Sequence, residues 1–123
     1  SAQELDAIHK MMNEAIESAG GRITEIFFCP HMPQDGCQCR KPTPGLIFQA
    51  QHKYNIKLAE AVMVGDSTKD IECARNAGCG GAVLVKSGND PDTEDILKAK
   101  GISPDHVASN LREAVRWIIK RHF

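Results

Sequence analysis

Hydrophobic and polar positions along this chain switch between a helical period and short continuous runs. Leu5, Ile8, Met12, Ala15 and Ala19 recur at helical spacing, and Ser1-x-x-Glu4 ahead of them forms a capping-box pattern. Gly20-Gly21 stops this helix. Ile23 to Phe28 is a short apolar run rich in β-branched and aromatic residues, which predicts a strand. Thr43-Pro44 predicts an N-cap followed by proline at the first helical position, with a helix to about Tyr54. Ala61 to Gly65 is continuously apolar, as a buried parallel strand requires. Ser67 predicts the cap of a helix ending at Gly78, and Gly81 to Val85 a second buried strand. A short helix follows from Asp90-Pro91 to just before Gly101, then a brief edge strand at His106–Ala108. Asn110-x-x-Glu113 caps a last amphipathic helix carrying Leu111, Val115, Ile118 and Ile119 on its apolar side. Strands alternating with helices predict α/β architecture with a mainly parallel sheet.

Composition narrows the setting. At 123 residues the chain reads as a single domain over 1–123, and a formal charge of -1 points to neither nucleic acid nor an anionic membrane. No apolar run has the length to cross a bilayer. Five cysteines are an odd count, and no signal-peptide core opens the chain, so a reducing cytoplasm is expected, with Cys73 and Cys79 as buried thiols.

The remaining cysteines change the picture. Cys29, His31, Cys37 and Cys39 fall within one segment, 29–39, with the spacing C-x-H-x5-C-x-C. Three thiolates and an imidazole complete a tetrahedral shell for structural Zn2+. The proline and glycine between the two pairs let the loop fold back on itself. A disulfide-bearing or merely cysteine-rich loop is the alternative, but it gives His31 no role. Arg40 and Lys41 follow at once, so a metal knot would fix two cations in space. Without the knot they would read as a solvated pair at a loop exit.

A second signal is Gly65-Asp66-Ser67-Thr68-Lys69-Asp70 at the end of an apolar strand. Ligands in open α/β sheets bind at the carboxyl ends of strands. Asp66 there suits Mg2+, a hard cation that prefers oxygen and bridges to phosphate. Asp70 would support that site indirectly, through water or by orienting the loop. Taken alone, the pair fits helix capping equally well. Beside Arg40 and Lys41, which suit oxyanion charge, the set describes a phosphomonoester pocket.

Cys-Pro-His…Cys-x-Cys-Arg-Lys-Pro…Pro-Gly, then Met-Val-Gly-Asp with a second aspartate four residues on, then Val-Leu-Val-Lys-Ser-Gly, resembles the heptose-bisphosphate phosphatases. These belong to the haloacid dehalogenase (HAD) superfamily and are relatives of the histidinol-phosphate phosphatases. The resemblance covers essentially the whole chain. It implies a HAD-like Rossmannoid parallel sheet flanked by helices, and a Mg2+-dependent phosphatase acting at the 7-position of D-glycero-D-manno-heptose 1,7-bisphosphate. It implies Cys29, His31, Cys37 and Cys39 on zinc, Lys41 stabilising phosphate, Arg40 on substrate, Asp66 on Mg2+, and Asp70 behind it. Gly45 after Thr43-Pro44 leans toward the heptose branch. Ser67 departs from the basic residue usual after that aspartate in both branches. A histidinol-phosphate phosphatase relative and a non-catalytic zinc-stabilised module are the competing readings.

The family's Asp-x-Asp-Gly-Thr segment, whose first carboxylate attacks phosphorus, has no counterpart in these residues. The resemblance therefore implies a C-terminal portion lacking the first two strands, not catalytically competent by itself. The sheet would then carry open edges, filled by a missing N-terminal segment or by a second copy, or closed by re-pairing of the sheet.

Overall fold

The computed structural model describes residues 1–29, 36–88 and 90–122. Helix α1 spans Ala2–Ser18 and opens with the expected capping box, Ser1 accepting from the Glu4 amide. Helix α2 spans Gly45–Tyr54, and a 3-10 turn at Leu58–Glu60 leads into β1, Val62–Gly65. Then come α3 (Thr68–Ala77), β2 (Gly81–Val85), α4 (Thr93–Ala99), β3 (His106–Ala108) and α5 (Leu111–His122). The three strands form a parallel sheet in the order β1-β2-β3, with Val64 opposite Val83 and Leu84 opposite Val107.

Alternation along the strands divides the core into two layers. Ala82 and Leu84 pack with Ile71 and Ala74 of α3 and Leu97 of α4 on one face. Val83, Val85 and Ala108 pack against Ala114 of α5 on the other, with Trp117 and Ile118 closing over them. This is the α/β fold expected, a parallel sheet with helices on both faces. Buried on both faces, β2 has no polar residue to place, which explains its unbroken apolar run.

Four local expectations shift. The Ile23–Phe28 run is not a strand: these residues lie in irregular chain with no ladder partner among the described residues, and Phe28 stays exposed. Apolar, β-branched sequence favours extended chain, but a strand needs a neighbour to take its amides and carbonyls. Glu25 is instead held by the Lys53 ammonium and by the Tyr54 hydroxyl at 2.7 Å, both from α2. Strand β1 is half-buried rather than buried, because it borders the sheet and pairs only with β2 among the described residues. Helix α2 is capped at Pro44, one residue late, because the Thr43 hydroxyl turns back to the carbonyls of Gln38 and Arg40. Helix α4 begins at Thr93, since the Asp90 carboxylate accepts the Asp92 amide in a preceding turn.

Helices α1 and α2 bury no residue fully, and Ile8 and Met11 of α1 are exposed. The well-packed body is therefore the sheet with α3, α4 and α5. No helix among the described residues is long and apolar enough to cross a membrane.

Candidate active site

The candidate residues gather around the N-terminus of α3, at the carboxyl end of β1. Ser67 caps that helix, and Asp70 in its first turn points back toward the cap. One oxygen of the Asp70 carboxylate accepts from the Asp66 amide (3.1 Å), the Ser67 amide (3.2 Å) and the Ser67 hydroxyl (2.9 Å). The other oxygen accepts the Lys41 ammonium. Asp70 is only 6% exposed, and all four partners are donors. Burial opposes its ionisation, but the bonds from Lys41 and Ser67 outweigh burial and leave its pKa below the usual carboxylate value.

Lys41 arrives from a loop 29 positions earlier in the chain, and α3 holds that loop along one face. Besides the Asp70–Lys41 pair, the Cys73 thiol meets the Thr43 carbonyl at 3.5 Å, and the Asn76 amide donates to the Pro42 carbonyl at 3.0 Å. Positions 70, 73 and 76 share a face because three residues is nearly one turn. Burial pushes the Cys73 thiol up, against the pull of the nearby Lys41 charge, so it acts here as a neutral donor. Gly45 lets the start of α2 lie on the loop: a Cβ there would sit 2.1 Å from the Gln38 carbonyl oxygen, to which its amide bonds at 3.0 Å. Arg40 is half-buried in the same turn.

Asp66 differs from its neighbour. Its side chain is exposed, and its carboxylate makes no hydrogen bond or ion pair among the described residues. It borders a cavity of about 350 Å³ lined also by Lys86, Gly88, Asp90, Thr93 and Glu94, where Lys86 pairs with Glu94 at 2.9 Å. An unengaged carboxylate at a strand end, with room beside it, fits a hard cation that keeps several waters. Asp70, with every near donor taken, fits the role of fixing the loop.

Cys37 Sγ lies 3.2 Å from Cys29 Sγ and 3.3 Å from Cys39 Sγ, and all three fall within the mutual distance a metal could span. Cys29 and Cys39 are joined as a disulfide in this structure. A disulfide sulfur is no thiolate, so zinc would need this bond reduced. Zn–S bonds of ~2.3 Å set tetrahedral sulfurs roughly 3.8 Å apart, so the three sulfurs, closer than this here, would have to spread to hold the ion. His31 lies outside the described residues.

Sequence reading thus named Arg40, Lys41, Asp66 and Asp70, and the structure joins three of them: Lys41 to Asp70, and Asp70 to the Asp66 amide. It missed Cys73 and Asn76 as anchors of the Lys41 loop. Their spacing of three and six residues from Asp70, one and two helical turns, was the available signal. It also left Gly65 without its tightest constraint: a Cβ there would lie 2.3 Å from the Asp70 Cβ.

A cation, an unengaged carboxylate and a strand-end cavity thus lie near the carboxyl end of a parallel sheet, where ligands of open α/β folds bind. The sequence matches the family described as HAD-hydrolase-like over residues 38–114, and the chain belongs to that family. Among individual relatives, it is 46% identical over 85 residues to the D-glycero-beta-D-manno-heptose-1,7-bisphosphate 7-phosphatase of Bordetella bronchiseptica, covering 69% of this chain and 47% of that protein. It is 32% identical over 129 residues to the D-glycero-D-manno-heptose-1,7-bisphosphate 7-phosphatase of Thermosynechococcus vestitus, covering 96% of this chain and 65% of that one. The crystal structure of the B. bronchiseptica D,D-heptose 1,7-bisphosphate phosphatase, complexed with magnesium and phosphate, superposes with a TM-score of 0.84 at 37% identity, over 95% of this chain and 64% of that one. The chain spans about half the length of the first of these relatives and about two thirds of the second.

Proposed function

We propose that this chain is the phosphate- and Mg2+-binding part of a phosphatase acting on a phosphorylated sugar, with the 7-phosphate of D-glycero-D-manno-heptose 1,7-bisphosphate as its target. One observation carries this reading: the buried Asp70 carboxylate ties the Lys41 ammonium to the loop that presents Asp66. A cation and the backbone of an unengaged carboxylate residue are thus both tied to the Asp70 side chain at the strand end. Mg2+ held by Asp66 would neutralise phosphate charge and orient the ester. Lys41, half exposed beyond its Asp70 contact, supplies a compact positive charge toward the same phosphate. Arg40, adjacent in the chain, would grip substrate oxygens. Cys29, Cys37 and Cys39, with His31, would hold structural Zn2+ in a reducing cytoplasm and stiffen the loop that delivers Arg40 and Lys41.

The reading rests also on likeness to relatives that carry this activity by name. The chain contains no Asp-x-Asp-Gly-Thr segment, its one Asp-x-Asp pair (Asp90 and Asp92) being followed by Thr93-Glu94, so by itself it is expected to release no phosphate at enzymatic rates. Calorimetric titration of the reduced, zinc-supplemented chain with inorganic phosphate tests the site. Binding should require Mg2+ and should be lost in Lys41→Met and Asp66→Asn. Phosphate binding indifferent to both substitutions would overturn the proposal. Rapid phosphate release from heptose bisphosphate by the chain alone would refute the expectation of incompetence.

A further inference from the structure

We propose that Gly88 is a positioning residue for the Asp66 carboxylate, a role that rests on Asp66 being the Mg2+ ligand. Gly88 lies in the turn that leaves β2, next to the end of β1 in the sheet. A Cβ at position 88 would sit 2.8 Å from Asp66 Oδ2, 2.9 Å from its Cβ and 3.1 Å from its Cγ. These are the three nearest atoms, and all belong to one side chain. The backbone at Gly88 is not left-handed, unlike that at Gly78 and Gly101. A left-handed backbone therefore does not account for the glycine, whereas the Asp66 side chain does.

The contact matters because no other partner of this carboxylate stands among the described residues. It makes no hydrogen bond or ion pair among the described residues. Its main chain is fixed by the Asp70 bond, so the remaining freedom is side-chain rotation. The bare backbone of Gly88 forms a wall that the carboxylate lies against, at the edge of the strand-end cavity both residues line. Steric walling is an economical way to hold an unpaired anion for a cation, since a hydrogen-bond donor in that place would compete for its lone pairs. A Cβ at 88 cannot be relieved by swinging the carboxylate tip alone, because the Asp66 Cβ is also too close. Either the turn moves or the whole Asp66 side chain is displaced.

The test uses the reduced, zinc-supplemented chain and Mn2+ as a paramagnetic stand-in for Mg2+, read by water proton relaxation. Gly88→Ala should weaken Mn2+ binding by about tenfold or more, the scale seen when groups behind a metal ligand are altered. Its melting temperature should fall, and this fall should disappear when the same substitution is made in an Asp66→Gly background. Asp66→Asn should abolish binding. Unchanged Mn2+ binding in Asp66→Asn would sink the metal reading itself. Loss in Asp66→Asn with wild-type binding in Gly88→Ala would leave that reading standing and overturn the role of Gly88. Should Gly88→Ala fail to fold, the double variant decides: recovery of folding with Asp66→Gly supports the steric wall, and persistent unfolding refutes it.

Discussion

Replacing Asp70 with alanine removes the acceptor that joins the Lys41 loop, the Ser67 cap and the Asp66 amide. Bonds to a charged group are each worth about 1.5–3 kcal/mol. Three of the four donors share one oxygen, so their contributions do not add. The Lys41 ammonium is 48% exposed and rehydrates when released, so its pair contributes no more than about 1 kcal/mol. The two amides sit at a helix N-terminus, where losing a negative charge costs a further ~0.5 kcal/mol. With water reaching the exposed Asp66, the net loss should be about 3 kcal/mol. At a urea slope of about 2 kcal/mol/M, the unfolding midpoint would drop by roughly 1.5 M. Circular dichroism during urea titration reads this directly. Asp70→Asn keeps an acceptor for Ser67 and should lose about half as much, while Lys41→Met alone should lose under ~1 kcal/mol. A fall of less than about 0.5 kcal/mol for Asp70→Ala, the range of an ordinary surface change, would show that the carboxylate does not organise this loop.

Other outcomes follow from the same geometry. The Asp70 pKa is lowered in the fold, so stability from its ionised form is complete above the ordinary value of 3.8 and is lost as pH falls through the lower folded value. Acid unfolding should therefore flatten in Asp70→Asn below that value, and a curve matching the wild type would count against it. Leu97 is 1% exposed between Ile71 and Leu84, so Leu97→Ala should cost about 2–5 kcal/mol by thermal or urea melts. Asn110 Oδ1 accepts the Glu113 amide at 3.0 Å, and Asn110→Ala should cost about 1 kcal/mol. Elemental analysis of chain refolded with reductant should find zinc that Cys37→Ser fails to retain, and equal zinc in both would remove this loop as a metal site.

Much of the body was legible because it is set by near neighbours. The caps at Ser1, Ser67, Gly78 and Asn110 each answer to residues within four positions, and a local pattern records such bonds fully. The unbroken apolar run of β2 announced burial on both faces. Partnership across the chain left weaker traces. Ile23–Phe28 has strand composition, but composition carries no information about whether a neighbour stands beside it. The Lys41–Asp70 pair, the Cys73–Thr43 contact and the Asn76–Pro42 bond each close over about 30 positions. Residue types marked Lys41 and Asp70 as candidates for one site, yet only the packing of α3 on the loop revealed that they bind each other. Gly88 was visible only as part of a Lys-Ser-Gly tripeptide, because the side chain nearest it belongs to Asp66, just past the end of the adjoining strand.

The border position of β1 has a practical consequence. Four residues long, it offers a seam of about 13 Å whose sideways-facing amides and carbonyls have, among the described residues, β2 on one flank only. Such a seam is adhesive toward any extended peptide. Handled at high concentration, the chain should self-associate through it, and light scattering followed against concentration reads this.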